Sequence, residues 1–290
     1  MTANPVSLRA APVLFILLWS SAFVAARIGL TGASPLAFLT VRFAIAATVL
    51  IAVALVVRTE WAALRGAGWH LVVAGVLISA LYLSGGYLAM REINAATMAL
   101  IGAMHPLITA ALARPLLGER LALTQWLGLG LGVVGVAIVV GGGISRPGDI
   151  VAPGLGLLGV CSLALGTIYY RKYCRHVPLR LSNTVQLAAA AVACTVLTLA
   201  IEDVRWTWSA DVVATLLYLT LAISIGAQLL LMFMLRHGKA GTVASNFYLT
   251  PGVTAVMGWL VLDEVLRPAA IAGLVVASLG VWLAQRGERR

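Results

Sequence analysis

Long apolar runs alternate along the chain with short segments that hold most of the polar and charged residues. Each run offers about 20 mostly apolar residues, the length that an α-helix needs to cross a bilayer. The pattern therefore predicts an all-α membrane protein with ten transmembrane helices. Their predicted ranges are Pro12–Leu30, Pro35–Val57, Trp69–Met90, Ala95–Leu117, Leu123–Gly141, Pro153–Tyr170, Asn183–Ile201, Asp211–Leu235, Ala240–Leu262 and Pro268–Gln285.

The second half of the chain repeats the first at an offset of 145 residues, half of the total length of 290. We therefore predict two units, residues 1–145 and 146–290, of five helices each. Because five crossings are an odd number, the second unit enters the membrane from the opposite side. Inverted repeats of this kind are a recurring architecture of secondary transporters. Among the positions that the offset relates are Thr97 and Thr242, Pro106 and Pro251, Glu119 and Glu264, Gly128 and Gly273, and Gly135 and Gly280.

The basic residues favour one side of the predicted bundle. With a cytoplasmic N-terminus, 14 of the 20 Lys and Arg lie in cytoplasmic segments and 4 in outer ones. This bias predicts that both termini are cytoplasmic in a bacterial-type inner membrane. The net charge of +10 then reflects contacts with lipid headgroups, and we expect no nucleic-acid partner. With 61% hydrophobic and only 10% charged residues, a soluble globular domain is excluded.

Enzymatic and cofactor chemistry find little support in the sequence. The three cysteines, Cys161, Cys174 and Cys194, form no close pair, and we expect them to pack as small apolar residues. The glycine clusters lack the setting of a phosphate-binding loop, and no metal-ligand or nucleophile motif is present. We therefore predict no cofactor, no metal and no enzyme activity.

The ten acidic residues all fall in predicted loops or at helix ends. A carrier that couples to protons or sodium usually keeps a carboxylate deep in its bundle, because a charge there is costly and is retained only for use. The distribution argues against a carboxylate-based drug/proton antiporter. It also argues against recognition of a substrate cation by a buried acid.

His105 lies near the middle of the fourth predicted helix, directly before Pro106. Proline removes a backbone hydrogen bond and disturbs the preceding turn, and such breaks occur at membrane depth where they line a cavity or are covered by protein. His105 could line a central pocket or simply bond to a neighbouring helix. Pro251 occupies the equivalent place in the second repeat, and we assign both prolines a structural or gating role.

The ninth predicted helix is unusually polar, with TVASNFYLTP ending at Pro251. Its polar groups could line a pocket or make interhelical hydrogen bonds. Tyr82 could pack on an apolar or aromatic substrate. The candidate substrate-binding residues are Tyr82, His105, Asn246, Tyr248 and Gln228, with Trp19, Ser21, Ser79 and Tyr169 as a second rank.

Arg42 lies seven residues into the second helix, roughly 10 Å deep at 1.5 Å per residue. It could bind a carboxylate or reach back to the membrane interface, and we favour a structural or gate role. Arg27 and Lys172 lie nearer to helix ends and are expected to reach the interface. Small residues spaced by four, such as Gly128 with Gly132 and Gly273 with Ala277, either pack the repeats together or form a dimer face.

The chain resembles the EamA family of the drug/metabolite transporter superfamily over nearly its whole length. The resemblance rests on WSSAFVAAR from Trp19, Pro35 with Arg42, HPLITAALARPLLGERL from His105, and TPGVTAVMGWLVLDEVL from Thr250. Its most specific item is the spacing of 13 from proline to glutamate in both halves, Pro106 to Glu119 and Pro251 to Glu264. The two glutamates belong to the family motif and are carried over as structural or gating residues.

The resemblance implies a ten-helix carrier, often an exporter of amino acids or related metabolites. The TVASNFYLTP stretch is similar to the same region of aromatic amino acid exporters. We therefore expect a secondary transporter that exports small metabolites, including aromatic and large apolar amino acids, as a monomer or homodimer among membrane lipids. The alternatives are a multidrug or cationic compound exporter and a passive uniporter of the same fold.

Overall fold

A computed structural model describes residues 5–59, 61–117, 123–141, 147–227, 230, 249–264 and 268–288. In these ranges the secondary structure is helical, with one isolated β-bridge, and it confirms the predicted all-α bundle. The described helices are α1 Pro5–Gly29, α2 Pro35–Val56, α3 Gly68–Ala89, α4a Ala95–Gly102, α4b His105–Leu117, α5 Leu123–Gly141, α6 Val151–Tyr173, α7 Leu179–Ile201, α8 Ala210–Ala227, α9 Thr250–Leu262 and α10 Pro268–Glu288.

Six of these helices, α1, α2, α3, α6, α7 and α8, are long and apolar enough to cross a membrane. The shorter apolar stretches lie in α4, α5, α9 and α10. Large apolar side chains on the outside of the bundle are exposed, for example Val56 at 82% and Leu199 at 80%. A face of this kind suits contact with lipid rather than water.

Several predicted boundaries differ from the observed ones, most of all at α1, which begins at Pro5 rather than Pro12. The sixth helix begins at Val151, before the predicted Pro153, because a short 3₁₀ turn over Pro147–Ile150 runs directly into it. The seventh begins at Leu179 rather than Asn183, because Pro178 ends the preceding loop in extended backbone and Arg180 lies inside the helix. The predicted helices 211–235 and 240–262 are described only up to residue 227, at residue 230 and from residue 249.

The helix contacts follow the repeat. Helices α5 and α10 pack on each other, and so do α2 and α7, which are equivalent helices of the two repeats. The remaining main contacts occur twice: α3 with α6 matches α8 with α1, and α4b with α6 matches α9 with α1. Each helix of one repeat is thus packed largely against the other repeat. The core lies between the repeats, with Phe38, Phe43, Val160 and Leu219 fully buried in it.

Glycines bring α5 and α10 into backbone contact. A Cβ atom built on Gly273 would lie 2.5 Å from the Gly135 carbonyl oxygen, and one on Gly280 would lie 2.6 Å from the Gly128 carbonyl oxygen. A Cβ on Gly135 would lie 2.6 Å from the Ala277 nitrogen. The small residues therefore join the two repeats within one chain, which is the first of the two predicted alternatives.

Two π-helical stretches interrupt α3 and α8, over Val76–Leu81 and Leu219–Ala227. The repeat offset carries residues 76–81 onto 221–226, so the π-helical stretches lie at matching places in the two repeats. The stretch in α3 packs on α6 and α7, and that in α8 packs on the equivalent α1 and α2. Because π-helical turns inside α-helices occur frequently at functional sites, the residues around the two stretches are candidates for a functional site.

Candidate functional site

The fourth helix is broken where Pro106 predicts a disturbance. Helix α4a ends at Gly102, a turn follows at Ala103 and Met104, and α4b begins at His105. Proline at the second position of α4b cannot donate to the preceding turn. A small cavity between α4, α5, α9 and α10 is lined by Ala103, Met104 and Pro251 among others. The broken turn of one repeat and the proline of the other therefore meet at one place.

His105 is half-buried and faces α6. Its Nε2 lies 3.3 Å from the Thr167 hydroxyl oxygen, and that hydroxyl donates to the Leu163 carbonyl oxygen at 2.8 Å. Since the single hydroxyl hydrogen of Thr167 is used in this way, the Nε2–H group of His105 is the donor to Thr167. The side chain thus joins the start of α4b to α6 by a hydrogen bond.

Tyr82 follows the π-helical stretch of α3 and reaches the broken turn of the fourth helix. A Cβ atom built on Gly102 would lie 4.0 Å from the Tyr82 hydroxyl oxygen and 3.7 Å from Phe23 Cζ. Gly102 thus leaves room for an added methyl group between two aromatic side chains. Ser79 lies within the same π-helical stretch and is half-buried.

Arg42 is buried, with 4% of its surface exposed, so the interpretation that it reaches the membrane interface is wrong. Its Nη1 donates to the Tyr87 hydroxyl at 2.8 Å. Its Nε and Nη2 donate to the Ser224 hydroxyl at 3.2 and 3.0 Å. Ser224 lies in the π-helical stretch of α8, so the guanidinium joins α2 to both α3 and α8.

The first helix contacts the second repeat through hydroxyl groups. Ser21 Oγ donates to the Leu18 carbonyl at 2.8 Å and lies 2.6 Å from the Tyr218 hydroxyl, which is therefore the donor in that pair. Ser20 Oγ donates to the Thr250 carbonyl at 3.3 Å, and Thr254 donates to the Ser20 carbonyl at 3.2 Å. These bonds connect α1 with α8 and α9.

Trp19 and Tyr169 both lie beside other aromatic rings, at different places in the bundle. The Trp19 ring is 5.3 Å from that of Phe15 on the same helix. Tyr169 lies near the end of α6, where its hydroxyl is 2.7 Å from His70 Nδ1. His70 also stacks on Tyr173, with ring centroids 4.6 Å apart. Tyr169 therefore belongs to an aromatic cluster at that end of the bundle.

The opposite end of the bundle is held together by hydrogen bonds between the repeats, and we name it the capped end. The Glu202 carboxylate accepts from the Leu36 and Ala37 N–H groups at 3.1 and 2.8 Å, which satisfies two free donors in the first turn of α2. The loops that precede α2 and α8 form a bridge between Ala33 and Trp206. In that bridge the Thr207 N–H group donates to the Gly32 carbonyl at 2.7 Å.

Glu264 makes a second cap at the same end. Asp263 adopts left-handed backbone with φ of 52°, so Glu264 turns back over Gly258. Its Oε1 accepts from the Ala95 N–H group at the start of α4a, at 3.0 Å, and lies 3.8 Å from Arg27 Nε. Arg27 also donates to the Met90 carbonyl, so both of its partners lie at the capped end. Lys172, its repeat counterpart, is exposed and lies over the Tyr173 ring.

Four predicted site residues, Gln228, Asn246, Tyr248 and Glu119, lie outside the described residues. Several interior or capping groups were not predicted, namely Tyr87, Tyr218, Ser224 and Glu202. The repeat could have indicated Ser224, because the offset of 145 relates it to Ser79. Glu202 had no such signal, because its partners on α2 are 165 and 166 residues away.

The EamA-like transporter family matches the chain twice, over residues 10–141 and 151–285. The chain is similar to the uncharacterized transporter YvbV of Bacillus subtilis (strain 168), with 24% identity over 92% of this chain and 88% of that protein. It is also similar to the uncharacterized inner membrane transporter YedA of Escherichia coli (strain K12), with 26% identity over 94% of this chain and 88% of that protein.

A solved crystal structure has the same fold, with a TM-score of 0.69 at 19% identity, covering 99% of both chains. Together, the two family matches account for most of the sequence, and they span the same bundle of helices in which the site residues lie. The protein is therefore a multi-pass membrane transporter, not an enzyme, and it belongs to the EamA-like transporter family.

Proposed function

We propose that this transporter exports small metabolites, above all amino acids including aromatic and large apolar ones, across a bacterial inner membrane by alternating access. Its two repeats interleave, and carriers with inverted repeats bind their substrates near the midplane between them. The proposed orientation places both termini in the cytoplasm and the capped end outside, as the distribution of Lys and Arg favours. The relative YedA is named an inner membrane transporter, which supports the same location.

The observation that carries the proposal is the chemistry of the interior. Hydroxyl and aromatic groups lie inside the bundle: Tyr82 of α3 reaches the broken turn of the fourth helix, and Ser21 of α1 pairs with Tyr218 of α8. The carboxyl groups in the described ranges lie instead at helix ends, as at Glu202 and Glu264. An interior of this composition suits a small amphipathic solute better than a permanent cation, which usually requires a buried acid.

In the proposed pocket, Tyr82 packs on the apolar part of the substrate and Ser79, Ser21 and His105 provide polar contacts. Asn246, Tyr248, Gln228, Trp19 and Tyr169 are proposed to line the same path. The substrate ammonium meets aromatic faces and the carbonyl groups freed at the broken fourth helix. Pro106, Pro251, Glu119 and Glu264 are proposed to act in gating.

The test is uptake by the purified full-length protein in liposomes, with a labelled panel of aromatic, branched and small amino acids and one cationic dye. Each solute is measured with and without a pH gradient. We expect saturable amino acid transport that falls at least about fivefold in Tyr82→Ala, since an aromatic packing contact is worth about 1 kcal/mol or more. Transport of the dye alone would favour a multidrug exporter, and equilibration that ignores every gradient would favour a uniporter.

A further inference from the structure

The guanidinium of Arg42 is a full charge buried among neutral groups. Its hydrogen-bond partners in the described ranges are the hydroxyls of Tyr87 and Ser224, which use three of its five N–H donors. Its Cζ also lies 5.9 Å from the centre of the Phe43 ring. One N–H group remains on each terminal nitrogen. A carboxylate with two oxygens can accept from both terminal nitrogens of one guanidinium.

The described part of the chain offers this charge no carboxylate. In the described ranges, no Asp or Glu oxygen lies within 4.0 Å of Arg42, and Arg27 with Glu264 is the ion pair found there. Residues 228–248 contain no acidic residue. Glu60, the acidic residue nearest to Arg42 along the chain, comes 18 positions after it, beyond the end of α2. Since a buried charge without a counter-ion is costly, its retention calls for an anion that binds there.

The second repeat shows that the fold does not need an arginine at this place. The offset of 145 relates Arg42 on α2 to Leu187 on α7, and Ser224 on α8 to Ser79 on α3. Leu187 is buried in the core, with 5% of its surface exposed. Equivalent helices therefore cross twice in this fold, with the Leu187 side chain at one crossing and the Arg42 guanidinium at the other. Packing alone does not account for the charge.

We propose that Arg42, held by Tyr87 and Ser224, binds the carboxylate of the transported molecule, so that this transporter selects carboxylate-bearing metabolites. The inference rests on the proposed transport function and narrows its substrate class. In this structure the guanidinium is closed off from solvent. The carboxylate therefore enters in another state of the alternating-access cycle. Between cycles the two hydroxyl partners hold the guanidinium in place.

The test uses the full-length protein in liposomes with labelled phenylalanine and four matched competitors: phenylalaninamide, phenethylamine, 3-phenylpropionate and phenyl phosphate. We expect 3-phenylpropionate to compete, and the amide and the amine to compete at least about 30-fold more weakly, because they lack the charge that pairs with the buried guanidinium. Equal competition by the amide would overturn the proposal. Competition by phenyl phosphate alone would overturn it as well, in favour of a phosphate ester.

Four variants separate a binding role from a structural one. Arg42→Leu installs the residue of the second repeat and is expected to raise the half-saturation concentration for phenylalanine at least about 30-fold. Arg42→Lys keeps the charge and should lose less. Arg91→Leu removes an exposed arginine and should leave transport unchanged. Tyr87→Phe, which removes one neutral hydroxyl, should weaken carboxylate binding about fivefold and serves if Arg42→Leu does not fold.

A binding measurement distinguishes this proposal from the transport proposal. Benzoate should raise the unfolding temperature of the detergent-purified wild-type protein, benzamide should not, and the effect should vanish in Arg42→Leu. That result would support the anion site even if no amino acid were transported. Transport of phenylalanine with unchanged affinity in Arg42→Leu would leave the proposed function standing and remove the anion site.

Discussion

The Glu264 carboxylate accepts a hydrogen bond from the Ala95 N–H group at 3.0 Å, so the second residue after α9 caps the first turn of α4a. Asn94 caps the same turn from within the first repeat, by accepting from the Thr97 N–H group at 2.8 Å. The start of α4a is therefore capped by one residue from each repeat. The bond between Glu264 and Ala95 can form only while α4a and α9 stay together at the capped end, which makes it a natural point to test for gating.

Replacing Glu264 with alanine should lower the free energy of unfolding by roughly 1–2 kcal/mol, because the cap and the partner of Arg27 are both lost. Glu264→Gln keeps an oxygen acceptor for Ala95 and should cost less. Thermal unfolding of the purified protein measures both changes. The control is Glu92→Gln, an exposed acid of the first repeat, which should have little effect.

Glu202→Ala removes both acceptors from the first turn of α2, where Ser34 makes no side-chain cap. We expect a loss of roughly 1–2 kcal/mol of stability and a smaller loss for Glu202→Gln. Hydrogen exchange of the Leu36 and Ala37 amides should accelerate in the alanine variant. If Asp203→Ala, which alters an exposed neighbour, accelerated exchange equally, the capping role of Glu202 would be refuted.

Gly273→Val should separate α5 from α10. Its side chain would meet the Gly135 carbonyl oxygen within 2.5 Å, so the backbones must move apart, at a cost of roughly 1–3 kcal/mol or more. The matched control is Gly130→Val on α5, where an added Cβ meets nothing within 4 Å. In denaturant unfolding, Gly273→Val should be clearly less stable than Gly130→Val. Equal stabilities of the two variants would contradict the close contact between α5 and α10.

Gly102→Ala tests the space between Phe23 and Tyr82. The added methyl group would meet both rings at 3.7 and 4.0 Å, ordinary contact distances, so folding should be unaffected. If the proposed pocket reaches this point, transport of tryptophan should fall several-fold and that of alanine should change little. Equal effects on both substrates would place the pocket elsewhere. Gly130→Ala serves as the control for an extra methyl group in a helix.

The proposed orientation can be tested by cysteine labelling. A cysteine at Asp203 should react with a membrane-impermeant maleimide added to intact cells, and one at Arg175 should react only after the cells are opened. Cys161 is first replaced by serine. Native Cys174 should give little background, because it is buried and burial raises the pKa of its thiol, which leaves less reactive thiolate near neutral pH. The reverse labelling pattern would invert the proposed topology.

The sequence predicted those features that follow from one local signal or from the repeat. The break at Ala103 and Met104 follows from Pro106, and the joining of α5 with α10 follows from glycine spacing. The surroundings of charged residues were harder to predict. The depths of Arg27 and Arg42 in their helices could be predicted, but not their partners. Arg27 bonds a carboxylate at the capped end, and Arg42 bonds two hydroxyls in the core. Their partners lie on distant helices, and burial decides which partner is needed.

The contact between α5 and α10 is made twice by the same pair of positions. Gly135 meets Gly273, and the offset of 145 carries these two onto Gly280 and Gly128, which meet in turn. The surface is thus self-complementary, as in a two-fold symmetric dimer. A single five-helix unit with this face could pair with an upside-down copy of itself and satisfy every glycine contact. Fusion of two gene copies would then have joined two units that already paired. After the fusion, each half could acquire residues that the other lacks.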